Sequence, residues 1–171
     1  MKKIVFVCLG NICRSPMAEF VMKELDQGKS LHIESRATSS WEHGNPVHQG
    51  TQKILRKYAI SFDSSKGSQQ ISQADFEFFD LVVGMDESNV EDLLQISAGR
   101  YDDKIKLFRP GGVPDPWYTG DFEETYKFLD EAGVLNKKAT TRIKDYFSID
   151  SDNTRSGVMS SFNAPLMMFR A

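Results

Sequence analysis

The 171-residue sequence predicts an α/β fold, a doubly wound four-stranded parallel sheet with helices on both faces. Three observations lead there. Short β-branched or aromatic runs alternate with amphipathic stretches, the pattern of parallel strands joined by crossover helices. The first unit passes from an apolar run through a short loop into a Ser-Pro helix start. The length, with 40% apolar residues, suits one compact domain with a sizeable core.

Element by element, "KKIVFVCL" (2–9) reads as a first strand buried on both faces. "SPMAEFVMKELDQG" reads as a helix with Ser15 as N-cap, Pro16 at the first helical position and Gly28 near its end; Met17, Val21 and Leu25 fall four apart on one face. "LHIESRATS" is a second strand, and "VHQGTQKILRKYAI" a helix offering Val47, Ile54, Leu55 and Tyr58 for packing. "FDLVVGMD" is a third strand, "ESNVEDLLQIS" a helix and "KIKLF" a short fourth strand. The turn-rich "RPGGVPDPWYTGD" then leads to a closing helix over 122–147 with a break at Gly133. Residues 1–150 therefore form one domain. Residues 151–171 show neither helical nor alternating periodicity and read as a C-terminal extension: native, a remnant of cloning, or a stretch that docks its "PLMMF" on an apolar groove. Right-handed crossovers bring the C-terminal strand ends to one edge, where ligands of doubly wound sheets bind.

Composition removes several classes of function. A net charge of −3 and a pI near 5.6 lack the basic excess of a nucleic-acid binder. No apolar run approaches the ~18 residues that span a bilayer, and the apolar core of "MKKIVFVCLG" is shorter than the ~7–15 residues of a signal peptide. Two cysteines make no disulfide framework, so a reducing cytoplasm is favoured. Cys8, Cys13, His32, His43 and His48 show no metal-ligand spacing.

Both cysteines lie in "VCLGNICRSP" (7–16), at the junction of first strand and first helix. There, backbone N–H groups lack intrahelical acceptors and attract anions. A loop from Leu9 to Ser15 curled around a tetrahedral oxyanion brings those donors together, and Arg14 can grip two oxygens in a fork. Cys8 lies at the floor, where a helix N-terminus and an arginine favour the thiolate. Gly10 allows close backbone approach or positive φ, Asn11 holds the loop through its amide, and Ser15 stabilises sulfur as a leaving group. A phosphate-transferring cysteine also needs an acid for the departing oxygen. Asp115, fixed between Pro114 and Pro116 in the loop after the fourth strand, emerges at the same sheet edge and is favoured for that role over a solvated turn residue.

These residues resemble the low-molecular-weight protein tyrosine phosphatase family. "VCLGNICRSPMAE" is similar to its signature loop and "DPW" to its general-acid motif; the resemblance runs from Lys2 to Phe147, takes in "ATSSW" (37–41) and "MDESN" (85–89), and leaves out the extension. It implies a soluble hydrolase that uses no metal or cofactor and acts on phosphotyrosine proteins or aryl phosphates, as a monomer or weak oligomer, with a cognate tyrosine kinase as a further partner. It implies that Cys8 attacks phosphorus, Arg14 holds the equatorial oxygens, and Asp115 protonates the leaving phenol and then activates water.

The resemblance further places Leu9 and Ile12 at the pocket mouth with Trp41, Trp117 and Tyr118 as aromatic walls, although Trp41 alone reads equally as a packing aromatic. Relatives with threonine at the Ile12 position resemble phosphoarginine phosphatases, so Ile12 leans toward tyrosine. Tyr118 is a wall or a regulatory phosphorylation site. Many relatives carry a histidine and an arginine where this chain has "SSKGSQQ", leaving open what positions Asn11 and Ser15. Cys13 is either a filler of the loop or the redox partner of Cys8, able to capture an oxidised Cys8 as a disulfide. The other readings are a thiol-dependent arsenate reductase, which needs further cysteines, and a phosphotyrosine-binding module without turnover.

Overall fold

The computed structural model describes residues 1–27 and 30–131, with side chains through Leu129. Gly28, the stretch 132–147 with its expected break at Gly133, and the extension 151–171 lie outside the described residues.

Continuous β-branched and aromatic residues build β1 (Lys2–Cys8), and β2 (Leu31–Ala37), β3 (Leu81–Gly84) and β4 (Ile105–Leu107) pair around it in the order β2-β1-β3-β4. All pairings are parallel, with Cys8 opposite Ala37 and Val7 opposite Gly84. The side-chain period of two splits β1 between two cores. Ile4, Phe6 and Cys8 face a layer built from α1 (Arg14–Asp26), α2 (Gln49–Lys57) and α6 (Phe122–Glu131). Val5 and Val7 face α3 (Gln73–Phe78) and α4 (Glu87–Ile96) through Phe76, Phe79 and Leu93.

Four local features differ from the sequence reading. The first helix begins two residues early, so Cys13 stands at the N-cap without a side-chain cap, Ser15 is inside the first turn, and Gln27 (φ 54°) takes the left-handed C-cap. Residues 73–78, unassigned above, form α3 behind a Ser72/Asp75 capping box. The acid loop contains a helical turn, α5 (Pro116–Thr119), capped by Asp115, and the second helix starts after His48, leaving Val47 buried outside it. Because β1, β3 and β4 run in the same direction, the loops after them converge on one edge of the sheet.

Candidate active site

The loop after β1 is held from outside by its carbonyls. Thr38 N–H donates to Cys8 O at 2.9 Å, Ser39 N–H and Oγ donate to Leu9 O, and His48 N–H donates to Ile12 O at 2.8 Å. Ser68 Oγ donates to Gly10 O at 2.7 Å, and Thr51 Oγ1 to Cys13 O at 3.1 Å. In a planar trans peptide the N–H of the next residue points opposite the carbonyl. Carbonyls drawn outward therefore turn the following N–H groups inward, and one is already engaged: Asn11 N–H donates to Cys8 Sγ at 3.2 Å.

Cys8, 3% exposed at the end of β1, also has Ser15 Oγ 3.1 Å from its sulfur. Ser15 thus serves the sulfur instead of capping the helix. Gly10 reads as allowing close backbone approach or positive φ; the positive φ falls on Asn11 (φ 57°), a conformation costing roughly 1–2 kcal/mol in a residue with a Cβ. Side-chain tethers offset that cost: Asn11 Nδ2 donates to Ser15 Oγ and Ser35 Oγ, both at 2.9 Å, and Oδ1 accepts from Gln69 N–H at 3.1 Å. Ser35 and Gln69 are what position Asn11 and Ser15 in this chain.

Arg14, 2% exposed, is braced on one side. Its Nη1 donates to Asp86 Oδ2 at 2.6 Å and to Val113 O at 3.1 Å, and Nη2 to Asp115 Oδ2 at 3.3 Å. Among the described residues its buried Nε has no partner, the condition of a donor kept for a ligand. Burial opposes the charge, yet Cys8, Asp115 and Asp86 together hold the guanidinium above its ordinary value. Asp86, which also caps α4 through Asn89 N–H, is a site residue missed by sequence reasoning. Its signal is Asp-x-x-Asn at the start of a helix, whereas the sequence reading places Asp86 at the end of the third strand and within "MDESN". Gly112 (φ 75°) lets the acid loop pass close to it, since a Cβ there would be 3.0 Å from that of Asp86.

Above the cradle lies a cavity of about 150 Å³, lined by Cys8, Leu9, Gly10, Ile12, Cys13 and Arg14 below, and by Trp41, Glu42, Asp115, Trp117 and Tyr118 around the mouth. Every site residue proposed from sequence except the buried Asn11 and Ser15 borders it. Trp41 is 78% exposed, so it is not a packing residue. Glu42 had no sequence signal. Behind Trp117, the His48 ring meets its edge and stacks on Phe122. Gly50 makes room, because a Cβ there would lie 2.4 Å from the Phe122 ring. Gly50→Ala is expected to destabilise the protein by about 1–3 kcal/mol, measured as a lower denaturant midpoint at unchanged slope.

Cys13 is buried and not disulfide-bonded. Burial, then the charges at Cys8, Asp115 and Glu42, push its thiol up to about 12 against the pull of Arg14. A raised pKa means the protonated form persists below it. Iodoacetamide is therefore expected to modify one cysteine per chain up to about pH 9, as counted by intact mass; two modifications at pH 8 contradict this.

Comparison with known proteins places this site in context. The family model described as low molecular weight phosphotyrosine protein phosphatase matches residues 3–138. The low molecular weight protein-tyrosine-phosphatase YfkJ of Bacillus subtilis is 40% identical over 140 residues, covering 75% of this chain and 89% of that protein. The Streptococcus pyogenes enzyme SP-PTP, titled a low molecular weight protein tyrosine phosphatase, superposes with TM-score 0.76 at 52% identity, covering 92% of this chain and 98% of that one. Vibrio vulnificus Wzb, solved with benzylphosphonate, gives 0.69 at 28% identity, covering 76% and 92%.

Proposed function

Because the chain belongs to the low molecular weight phosphotyrosine protein phosphatase family, we propose that it hydrolyses phosphotyrosine in proteins through a phosphocysteine at Cys8. The observation that carries this reading is the meeting of Cys8, Arg14 and Asp115 around one cavity, although Asp115 lies 101 positions from Arg14. Phosphorus enters above the sulfur, with inward N–H groups and Arg14 Nε on its nonbridging oxygens. Cys8 Sγ attacks in line, the P–O(phenol) bond breaks, and Asp115 gives its proton to the departing oxygen. Water then attacks phosphorus, Asp115 takes its proton, and the sulfur leaves with Ser15 Oγ beside it. The donors stand ready before charge develops, so electrostatic preorganisation supplies most of the acceleration.

Ile12 and the aromatic mouth favour an aryl group, and the benzyl group bound by Wzb agrees with that choice. A tyrosine kinase is the class of enzyme that supplies this substrate. Two unbridged thiols favour the cytoplasm; among the described residues no helix is long and apolar enough to cross a membrane.

Asp115→Ala tests the reading. The acid matters most for poor leaving groups, so kcat/KM is expected to fall by about 10²–10⁴ for phosphotyrosine peptides and much less for p-nitrophenyl phosphate. Equal losses on both substrates would remove Asp115 from the acid role. The same variant should retain phosphotyrosine proteins from a cell extract; retention of phosphoarginine proteins instead would overturn the substrate assignment.

Cys13 is assigned as redox partner on its place in the same loop. Peroxide converts Cys8 to a sulfenic acid, the Cys13 sulfur displaces water, and a disulfide results. Activity lost to peroxide should return with dithiothreitol in the parent protein and not in Cys13→Ser. Equal recovery in both contradicts the assignment.

A further inference from the structure

A line of hydrogen bonds leads from Cys8 away from the cavity to a buried carboxylate that the reaction above does not use. Glu19, 3% exposed on α1, accepts from Lys23 Nζ at 2.6 Å on one oxygen. Its other oxygen accepts from Ser35 Oγ at 2.5 Å and lies 3.3 Å from Lys66 Nζ. Ser35 is fully buried and touches Asn11 Nδ2, which touches Ser15 Oγ, which touches Cys8 Sγ.

Counting protons along this line fixes its direction. A carboxylate only accepts, and a serine has one proton, so Ser35 commits its proton to Glu19 and must accept from Asn11. Asn11 gives one amide proton to each serine, while Gln69 N–H holds its oxygen. Ser15 Oγ therefore accepts from Asn11 and keeps its own proton for Cys8 Sγ or for Arg36 O, 3.3 Å away. An anionic sulfur is the stronger acceptor, so the proton goes to it.

We propose that Glu19 is a positioning residue for the phosphatase reaction: as the terminal acceptor, fixed in place by Lys23 and Lys66, it orients the Ser35 and Asn11 protons so that Ser15 donates to the Cys8 sulfur. The proposal rests on the assignment of Cys8 as nucleophile. Without Glu19, the Ser35 proton turns toward the Asn11 amide and repels it, and one of the two locks on Asn11 is lost.

The test reads the sulfur directly, by iodoacetamide alkylation of the full-length protein followed by peptide mass. The cations and carboxylates around the sulfur, Arg14, Asp115 and Asp86, are left unchanged. Glu19→Met is expected to slow Cys8 alkylation at pH 6 about fivefold and to leave the rate at pH 9 unaltered. Glu19→Gln, which keeps an oxygen for Ser35 once the half-exposed Lys23 swings aside, should recover most of that loss. Ser35→Ala cuts the line at its middle and should match Glu19→Met; in the Glu19→Met/Ser35→Ala double variant the loss should be no larger than in either single variant. Unchanged alkylation at pH 6 in folded Glu19→Met, or losses that multiply in the double variant, would overturn the proposal. If Glu19→Met does not fold, Ser35→Ala decides alone, since parental rates there also overturn it. Alkylation is independent of turnover, so an absence of phosphatase activity in the parent protein would be a separate failure.

Discussion

Cys8→Ser is expected to lower aryl phosphate hydrolysis by at least about four orders of magnitude while leaving inorganic phosphate bound. The loop that forms the cradle is fastened through carbonyls of Leu9, Gly10, Ile12 and Cys13 to Ser39, Ser68, His48 and Thr51. None of those bonds involves the sulfur, so the oxyanion site survives the exchange. What is lost is a polarisable nucleophile within reach of Asn11 N–H and Ser15 Oγ; a serine hydroxyl is a weak nucleophile as long as it keeps its proton. Cys13 offers no substitute, because it is buried and its thiol is pushed up to about 12. Steady-state kinetics and phosphate titration by calorimetry together check the expectation. Activity within about tenfold of the parent would require another nucleophile, and loss of phosphate binding would mean that the sulfur shapes the cradle itself.

The extent to which this site was legible depended on whether chemistry or packing chose the residue. Cys8, Arg14 and Asp115 stand out because phosphoryl transfer needs a nucleophile, a fork of donors and an acid, and few residue types supply them. Ser35, Glu19, Lys66 and Asp86 carry no such mark. They matter through partners 16 to 72 positions away, and only the parallel pairing of β2 with β1 brings Ser35 beneath Asn11.

For the fold, short β-branched or aromatic runs identified all four strands, whereas the starts of the first two helices were displaced. A proline after Ser15 suits the first helical position, but the first four N–H groups of any helix are equally without acceptors. Pro16 fits as well two positions further in, and that is where it lies behind the Cys13 cap. The six residues of α3 are too few for a helical period, leaving the Ser72/Asp75 box as their signal. Of the two roles read for Gly10, the left-handed turn belongs to Asn11, because glycine removes only a steric cost, while asparagine supplies three tethers.

Arg14→Lys is expected to reduce kcat/KM for phosphotyrosine peptides by about 10²–10⁴, the loss of two hydrogen bonds to charged oxygens at about 1.5–3 kcal/mol each. The guanidinium reaches Asp86 and Val113 O with one nitrogen and Asp115 with another, and its Nε has no partner among the described residues. An ammonium is a point donor. If lysine at position 14 stays with Asp86, nothing reaches the phosphate from that side; if it turns to the phosphate, Asp86 and the acid loop lose their tie. Stability should fall by less than the ~3–5 kcal/mol of a fully buried broken pair, because the side chains of Asp86 and Asp115 are 32% and 20% exposed. The kinetic and structural effects can therefore be separated by normalising rates to the folded fraction from denaturant unfolding. A purely structural arginine would give lysine-variant molecules that, once folded, hydrolyse peptides at the parental rate, and that result would remove Arg14 from the reacting group.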